Sequence, residues 1–134
     1  MIDVHDLCVG NWVYDGDKTQ FPMYIRTIGE DYVYLDFEGN EGDLFESTPE
    51  ELQGIPLTEE LLTKLGFVFN GTGLWKKTEK KREVSINIER EFLYIESFDQ
   101  KWHDSRGWVH GVKYLHQLQN FFRNMAREDF AVEL

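Results

Sequence analysis

The sequence predicts an α+β fold: a small N-terminal antiparallel β-barrel, SH3-like in size, then a short helix, an antiparallel sheet and a covering C-terminal helix. Three observations predict it. Short apolar segments separated by turn residues fill the first part of the chain. Apolar residues alternate with polar ones at period two in the second part, and a long apolar stripe of helical period follows near the end. We divide the chain into a barrel or meander at 1–50 and an α+β unit at 51–134, which can also form one compact domain.

The predicted barrel is a meander of four short strands. Aromatic and β-branched residues form each strand, and clusters of Gly, Asn, Asp and Glu separate the strands as turns. In 32–37, for example, Val33 and Leu35 face one way while Tyr32 and Tyr34 face the other. A polar connector follows at 47–56. The predicted strands lie near 12–14, 21–28, 32–37 and 44–46.

A helix of about two turns is predicted at 58–65, with signals at both ends. Thr58 can cap the first free amides, and two glutamates follow where the helix dipole favours anions. Leu57 and Leu62 stand at the spacing of a hydrophobic staple. Gly66 can adopt the left-handed conformation that ends a helix.

The second sheet is predicted as four antiparallel strands near 67–69, 74–76, 84–88 and 92–95. Turns are expected at 70–73 and 90–91, and a loop at 99–107 leads to the last helix, within 110–125. The apolar residues of that helix recur at steps of three and four, as one face of a helix requires. They are Tyr114, Leu115, Leu118, Phe121, Phe122 and Met125.

Three segments of the chain, 7–14, 56–67 and 112–120, are similar to segments of known sequences. They read LCVGNWVY, PLTEELLTKLGF and VKYLHQLQN. With these anchors the chain resembles a group of small proteins of unknown function from anaerobic gut bacteria and from their phages and mobile elements. The resemblance implies the same order of elements and a phage or mobile-element setting, and it implies no activity, ligand or catalytic residue.

Charge is distributed unevenly along the chain, whose net charge is −11. Residues 1–66 hold 15 acids and 3 bases, a net charge of −12, whereas 67–134 hold 10 acids and 11 bases, a net charge of +1. The acidic half argues against nucleic-acid binding, which depends on basic groups that neutralise phosphates.

The sequence lacks a secretory signal and an apolar stretch of membrane-spanning length, so we expect a cytoplasmic protein. The single cysteine, Cys8, excludes an intrachain disulfide.

The sequence predicts no catalytic residue, no metal ligand and no cofactor. His103, Asp104 and His110 with Asp99 could converge on a metal, but no two histidines stand three or four residues apart. Cys8 with a histidine could form a nucleophile and base, but its position between Leu7 and Val9 favours a buried, inert thiol. A group of aromatic and basic side chains forms a candidate interaction surface instead, with the bases at a hairpin tip. Its residues are Trp75, Lys76, Lys77, Lys80, Lys81, Arg82, Trp102, His103 and Trp108.

The function predicted from these features is a non-catalytic protein-interaction or accessory module in a phage or mobile-element setting. Its partner is another protein or a second copy of the chain. Two alternatives stay open. An acidic nucleic-acid mimic would inhibit a DNA-binding enzyme with carboxylates along one continuous face, and a small metal-dependent hydrolase would bring His103 and His110 together in a pocket.

Overall fold

The computed structural model describes residues 2–16, 21–97 and 106–134. The chain forms two compact units. Unit 1 comprises Met1–Pro56 and Tyr114–Asn120, and unit 2 comprises Leu57–Lys113 and Phe121–Leu134. The last helix therefore contributes its first half to unit 1 and its second half to unit 2.

Unit 1 contains a five-stranded antiparallel sheet, sheet 1, in the order β4-β3-β2-β1-β5. Short 3-10 turns at Val4–Asp6 and Pro49–Glu51 precede β1 and β5. The strands are β1 (Trp12–Asp15), β2 (Pro22–Ile28), β3 (Val33–Asp36), β4 (Phe45–Ser47) and β5 (Leu52–Gly54).

The predicted SH3-like barrel is wrong, because sheet 1 is open. Its edge strands β4 and β5 have three residues each and share no backbone hydrogen bonds, which closure of a barrel requires. A side chain of β4 reaches β1 instead: the buried hydroxyl of Ser47 donates to Asp15 Oδ1 at 2.8 Å. The fifth strand, β5, lies where the sequence predicts a polar connector, and its pairing with β1 forms it.

One face of sheet 1 carries the core of unit 1. Val13 pairs with Met23 and Ile25 pairs with Leu35, and residues paired across antiparallel strands share a face. These side chains are buried and pack together in one cluster. The cluster comprises Ile2, Leu7, Val13, Met23, Ile25, Val33, Leu35 and Leu52.

Unit 2 contains a second five-stranded antiparallel sheet, sheet 2, in the order β10-β9-β8-β7-β6. The sequence predicts four of its strands and misses the fifth, which occupies part of the predicted loop and helix start. Helix α1 (Glu59–Lys64) precedes the sheet. The strands are β6 (Val68–Phe69), β7 (Trp75–Glu79), β8 (Arg82–Asn87), β9 (Phe92–Ser97) and β10 (Arg106–His110).

The predicted α+β class is also corrected, since the chain is mostly β. Within the described ranges, α2 (Leu115–Ala126) is the only helix of seven residues or more. Because α2 is shared between the two units, it is not simply a cover for the second sheet. None of the described helices is long and apolar enough to cross a membrane.

The caps predicted for α1 are confirmed. Thr58 accepts a hydrogen bond from the Leu61 amide at 3.1 Å, which satisfies one free donor of the first turn. At the other end Gly66 has φ +95°, and the Phe67 amide donates to the Leu62 carbonyl at 2.9 Å. This geometry is the Schellman ending that Gly66 predicts.

An aromatic ring of the segment after α2 packs into the core of unit 2. Phe130 is buried, with ring centroids 6.0 Å from Phe67 and 5.4 Å from Phe122. The ammonium group of Lys77 lies 5.0 Å from the centre of the Phe130 ring, within cation–π range. The end of the chain is thus part of the core of unit 2.

Candidate interaction surfaces

The basic residues of the predicted surface lie on the β7–β8 hairpin, as expected. Glu79 pairs with Arg82, so Lys80 and Lys81 form the two-residue turn between the strands. Both turn residues have positive φ, 47° and 65°, as a type I′ turn requires. The turn fits the right-handed twist of the strands although neither residue is glycine.

Most of these cations form ion pairs or hydrogen bonds within unit 2. Lys76 pairs with a carboxylate of β8, and Lys77 binds the end of α1 and a carboxylate of β7. Lys80 and Arg82 bind the segment after α2. Three of the five cations therefore have a carboxylate partner, whereas Lys80 donates to a neutral carbonyl and keeps its full charge. The contacts are Lys76 with Glu83 at 3.2 Å, Lys77 with the Leu65 carbonyl at 2.6 Å and Glu79 at 3.2 Å, Lys80 with the Asp129 carbonyl, and Arg82 with Glu128 at 3.4 Å.

The tryptophans of the predicted surface do not form one patch. Trp75 pairs with the buried Ile86 and therefore belongs to the inner face of sheet 2, with its ring 5.2 Å from Phe69. Trp108 pairs with Tyr94 on the outer face and is 63% exposed. Trp102 and His103 lie outside the described residues.

The outer face of sheet 2 carries adjacent aromatic side chains. Tyr94 and Trp108 form one cross-strand pair, and Phe92 and His110 form the next but one along the same strands. The Phe92 and His110 rings lie 5.0 Å apart. Among the predicted surface residues that the structure describes, Trp108 alone contributes to this aromatic row.

The net charge of the chain belongs to unit 1. Unit 1 holds 13 acids and 2 bases, a net charge of −11, whereas unit 2 holds 12 of each and is neutral. The region 27–63 contains 11 acids and neither Lys nor Arg. The two halves of the sequence already differ in net charge. With the boundaries of the units, the whole net charge of the chain falls on unit 1.

Unit 1 also exposes three phenylalanine rings in contact, which we call the Phe cluster: Phe21, Phe37 and Phe45. The Phe21 and Phe37 rings meet edge to face at 5.4 Å, and the Phe37 and Phe45 rings lie 5.8 Å apart. Phe37 packs against the core of unit 1, while Phe21 is 47% exposed and Phe45 is 44% exposed. Sequence reasoning missed this cluster, because its members come from three separate segments.

The acidic loop after β3 starts from an ordered carboxylate. Asn40 donates to Asp36 Oδ1 at 2.8 Å, and the Phe37 amide donates to the same oxygen at 2.8 Å. The Asn40 hydrogen bond, then that of Phe37, the charge of Arg26 and the Tyr24 hydroxyl hold the pKa of Asp36 below its usual 3.8, against partial desolvation. Asp36 therefore stays ionised and fixes the loop beside the Phe cluster.

A cleft of about 350 Å³ lies elsewhere on unit 1. Apolar side chains and carboxylates share its lining, so it adds to the negative potential of the unit. Its lining residues are Ile2, Asp3, Val4, Glu30, Asp31, Pro49 and Glu50.

One histidine of unit 1 is deeply buried. His116, in the first turn of α2, is 3% exposed, and its ring stacks 5.8 Å from Tyr114. Its Nδ1 atom has no hydrogen-bond partner in the described part of the chain. Burial lowers the pKa of His116 from 6.5 to about 4, and the carboxylate of Asp6 opposes the shift.

Of the residues weighed for metal or nucleophilic chemistry, the structure describes His110 and Cys8 but not Asp99, His103 or Asp104. His110 is exposed on sheet 2, and Cys8 is a partly buried free thiol in unit 1. In 2–16, 21–97 and 106–134, no three His, Cys, Asp or Glu side chains group as metal ligands. The hydrolase alternative also needs His103, which the structure does not describe.

No protein-family model, curated protein or solved structure matches this chain.

Proposed function

We propose that the chain is a non-catalytic interaction module whose acidic unit 1 binds a basic segment of another protein. The observation that carries the proposal is the segregation of charge: unit 1 holds the whole net charge of −11, and unit 2 is neutral. Charge of one sign on one unit steers a partner of opposite sign and raises the association rate. A phage or mobile-element setting and a cytoplasmic location are parts of the same proposal.

The pairing within unit 2 favours a different protein over a second copy as the partner. Self-association through charge would need the basic hairpin to reach the acidic unit of a neighbour. Lys77 and Arg82 already bind groups of their own unit, and Lys80 binds the Asp129 carbonyl. Three of the five hairpin cations thus pair with carboxylates of their own unit, which supports a different protein as the source of the basic groups that unit 1 attracts.

An acidic nucleic-acid mimic is the alternative function. The face of sheet 1 opposite its core supports it less well than the proposed function. A mimic needs carboxylates in a continuous row. The central row of that face consists of Trp12, Tyr24 and Asp36; Trp12 is buried and the other two are partly buried, so the row presents no continuous line of exposed carboxylates.

The test compares two triple variants that have the same net charge. One neutralises exposed acids of the loop after β3 in unit 1, and the other neutralises exposed acids of unit 2, so each raises the net charge from −11 to −8. The first is Glu38→Gln, Glu41→Gln and Asp43→Asn, and the control is Glu60→Gln, Glu89→Gln and Glu133→Gln.

The probe is a fluorescent peptide of about ten alternating arginine and serine residues, which spans roughly 30 Å when extended. Fluorescence anisotropy measures its binding to the full chain. We expect binding that weakens as salt rises, because screening shortens from about 10 Å at 0.1 M to about 3 Å at 1 M. The unit 1 variant should bind several-fold more weakly, and the unit 2 variant should bind as the native chain does.

Equal weakening by both variants would show that net charge alone attracts the peptide, and would refute the proposal. Absence of binding at low salt would refute it too. Sedimentation of the native chain at both salt concentrations tests the second-copy alternative, since a dimer that dissociates in salt would mean that unit 1 binds another copy.

A further inference from the structure

We propose that the Phe cluster is the anchor point of this surface, where an apolar side chain of the basic segment inserts between Phe21 and Phe45. The inference rests on the proposed function and adds the site and the chemistry of the bound segment. Its basis is the position of the three rings. Phe37 packs on the core of unit 1, and the two outer rings extend that apolar contact to the surface.

The three rings contact one another in series, which distinguishes them from scattered surface residues. Phe21 and Phe45 are each nearly half exposed, both flank Phe37, and the exposed Leu44 directly precedes Phe45. Isolated apolar residues are common on protein surfaces, whereas a contiguous patch rimmed by polar groups marks an interaction site. Aromatic side chains at such centres carry a large share of binding energy.

The charges around the cluster determine the kind of partner. The loop between Phe37 and Leu44 presents Glu38, Glu41 and Asp43, all exposed. The nearest base before this acidic region is Arg26, whose guanidinium lies 3.8 Å from Asp36. A segment seated on the rings would therefore meet carboxylates on its flanks, and lysine or arginine residues there complement them.

The same rings offer basic side chains a second contact. The methylene groups of lysine and arginine pack on apolar surface while their charged ends stay in water. Their cationic groups are also attracted to the faces of aromatic rings. The fitting occupant is a basic segment with one large apolar residue among its lysines or arginines.

The experiment uses two peptides on the full chain. One is the arginine–serine peptide, and the other differs only by a central phenylalanine in place of a serine. The protein variants are Phe21→Ala and Phe45→Ala, which change separate segments, so the test survives if one of them fails to fold. The matched control is Phe69→Ala in unit 2, since Phe69 is 48% exposed.

We expect the phenylalanine peptide to bind the native chain about tenfold more tightly than the serine peptide. Phe21→Ala and Phe45→Ala should abolish most of that preference and leave binding of the serine peptide nearly unchanged. Phe69→Ala should keep the full preference. Circular dichroism and thermal unfolding verify that each variant is folded.

The outcomes separate the two proposals. If both peptides bind the native chain equally well, or the preference survives in both cluster variants, the acidic unit binds basic segments but the Phe cluster is not the anchor. If neither peptide binds at low salt, the proposed function fails, and the anchor site fails with it.

Discussion

His116 should make the stability of the chain depend on pH between about 4 and 6.5. Its pKa is lowered from 6.5 to about 4 because burial disfavours the charged imidazole. In the unfolded chain the ring takes up a proton near pH 6.5, whereas in the folded chain it stays neutral until about pH 4. The unfolded state therefore binds more protons in this window, and stability falls as the pH falls.

The expected size of the effect follows from the shift. One pKa unit corresponds to about 1.4 kcal/mol, so a shift from 6.5 to about 4 represents about 3 kcal/mol. This stability is present above pH 6.5 and is lost by about pH 4. The pKa of Asp36 is lowered from 3.8, so its contribution is present at neutral pH and is lost as the pH falls through 3.8 and below, at the acidic end of this range.

Urea unfolding of the native chain and of His116→Gln across pH 4 to 8 measures the effect. Glutamine is polar and does not titrate, so the variant should lose the slope in this window whatever its stability at neutral pH. The control is His110→Gln, which removes an exposed histidine of unit 2. Parallel stability curves for the native chain and His116→Gln would refute this account of the buried ring.

Three further substitutions test local parts of the fold by urea unfolding. Thr58→Ala should cost about 1 kcal/mol, because the Leu61 amide loses its cap, and an unchanged midpoint would contradict that role. Leu118→Ala should cost about 2–5 kcal/mol, since this fully buried residue would leave a cavity, and a mild loss would mean that the site collapses easily. Gly54→Ala should cost about 1–3 kcal/mol, because an added Cβ would lie 2.5 Å from the ring of Tyr114; native stability would show that the ring can move away.

The parts of the fold that sequence predicts correctly have local signals. Helix α1 is specified by Thr58 before it and Gly66 after it, and both act as the sequence implies. The turns at 70–73 and 90–91 also separate strands as predicted. In each case the deciding interactions join residues close together in sequence.

The errors concern elements that depend on distant pairing. Strand β5 has three residues, and it is a strand because β1 lies beside it. Strand β10 forms against β9 across a long connection. Whether a five-stranded sheet closes depends on hydrogen bonds between its two edges, which no local pattern of β4 or β5 encodes.

The candidate surfaces show the same division. The basic hairpin is visible as a run of lysines, but the carbonyl that accepts from Lys80 and the carboxylate that pairs with Arg82 lie more than 40 residues later in the chain. The Phe cluster joins Phe21, Phe37 and Phe45, whose spacing has no period. The signal available in the sequence is the stretch without bases at 27–63, which contains two of the three rings.

The acidic surface of unit 1 should reduce stability in the free protein, because 13 acids and 2 bases on one small unit repel each other. The triple variant Glu38→Gln, Glu41→Gln and Asp43→Asn should therefore stabilise the chain by up to roughly 1 kcal/mol at low salt, with a smaller gain at high salt. The variant that neutralises three acids of the neutral unit 2 should gain less. Thermal unfolding at two salt concentrations measures both.

If the unit 1 variant gains stability and loses peptide binding, its carboxylates reduce stability in favour of recognition, as functional surfaces commonly do. If it gains no stability, repulsion among these three carboxylates is too weak to lower the stability of unit 1, and the idea that recognition reduces stability here is refuted.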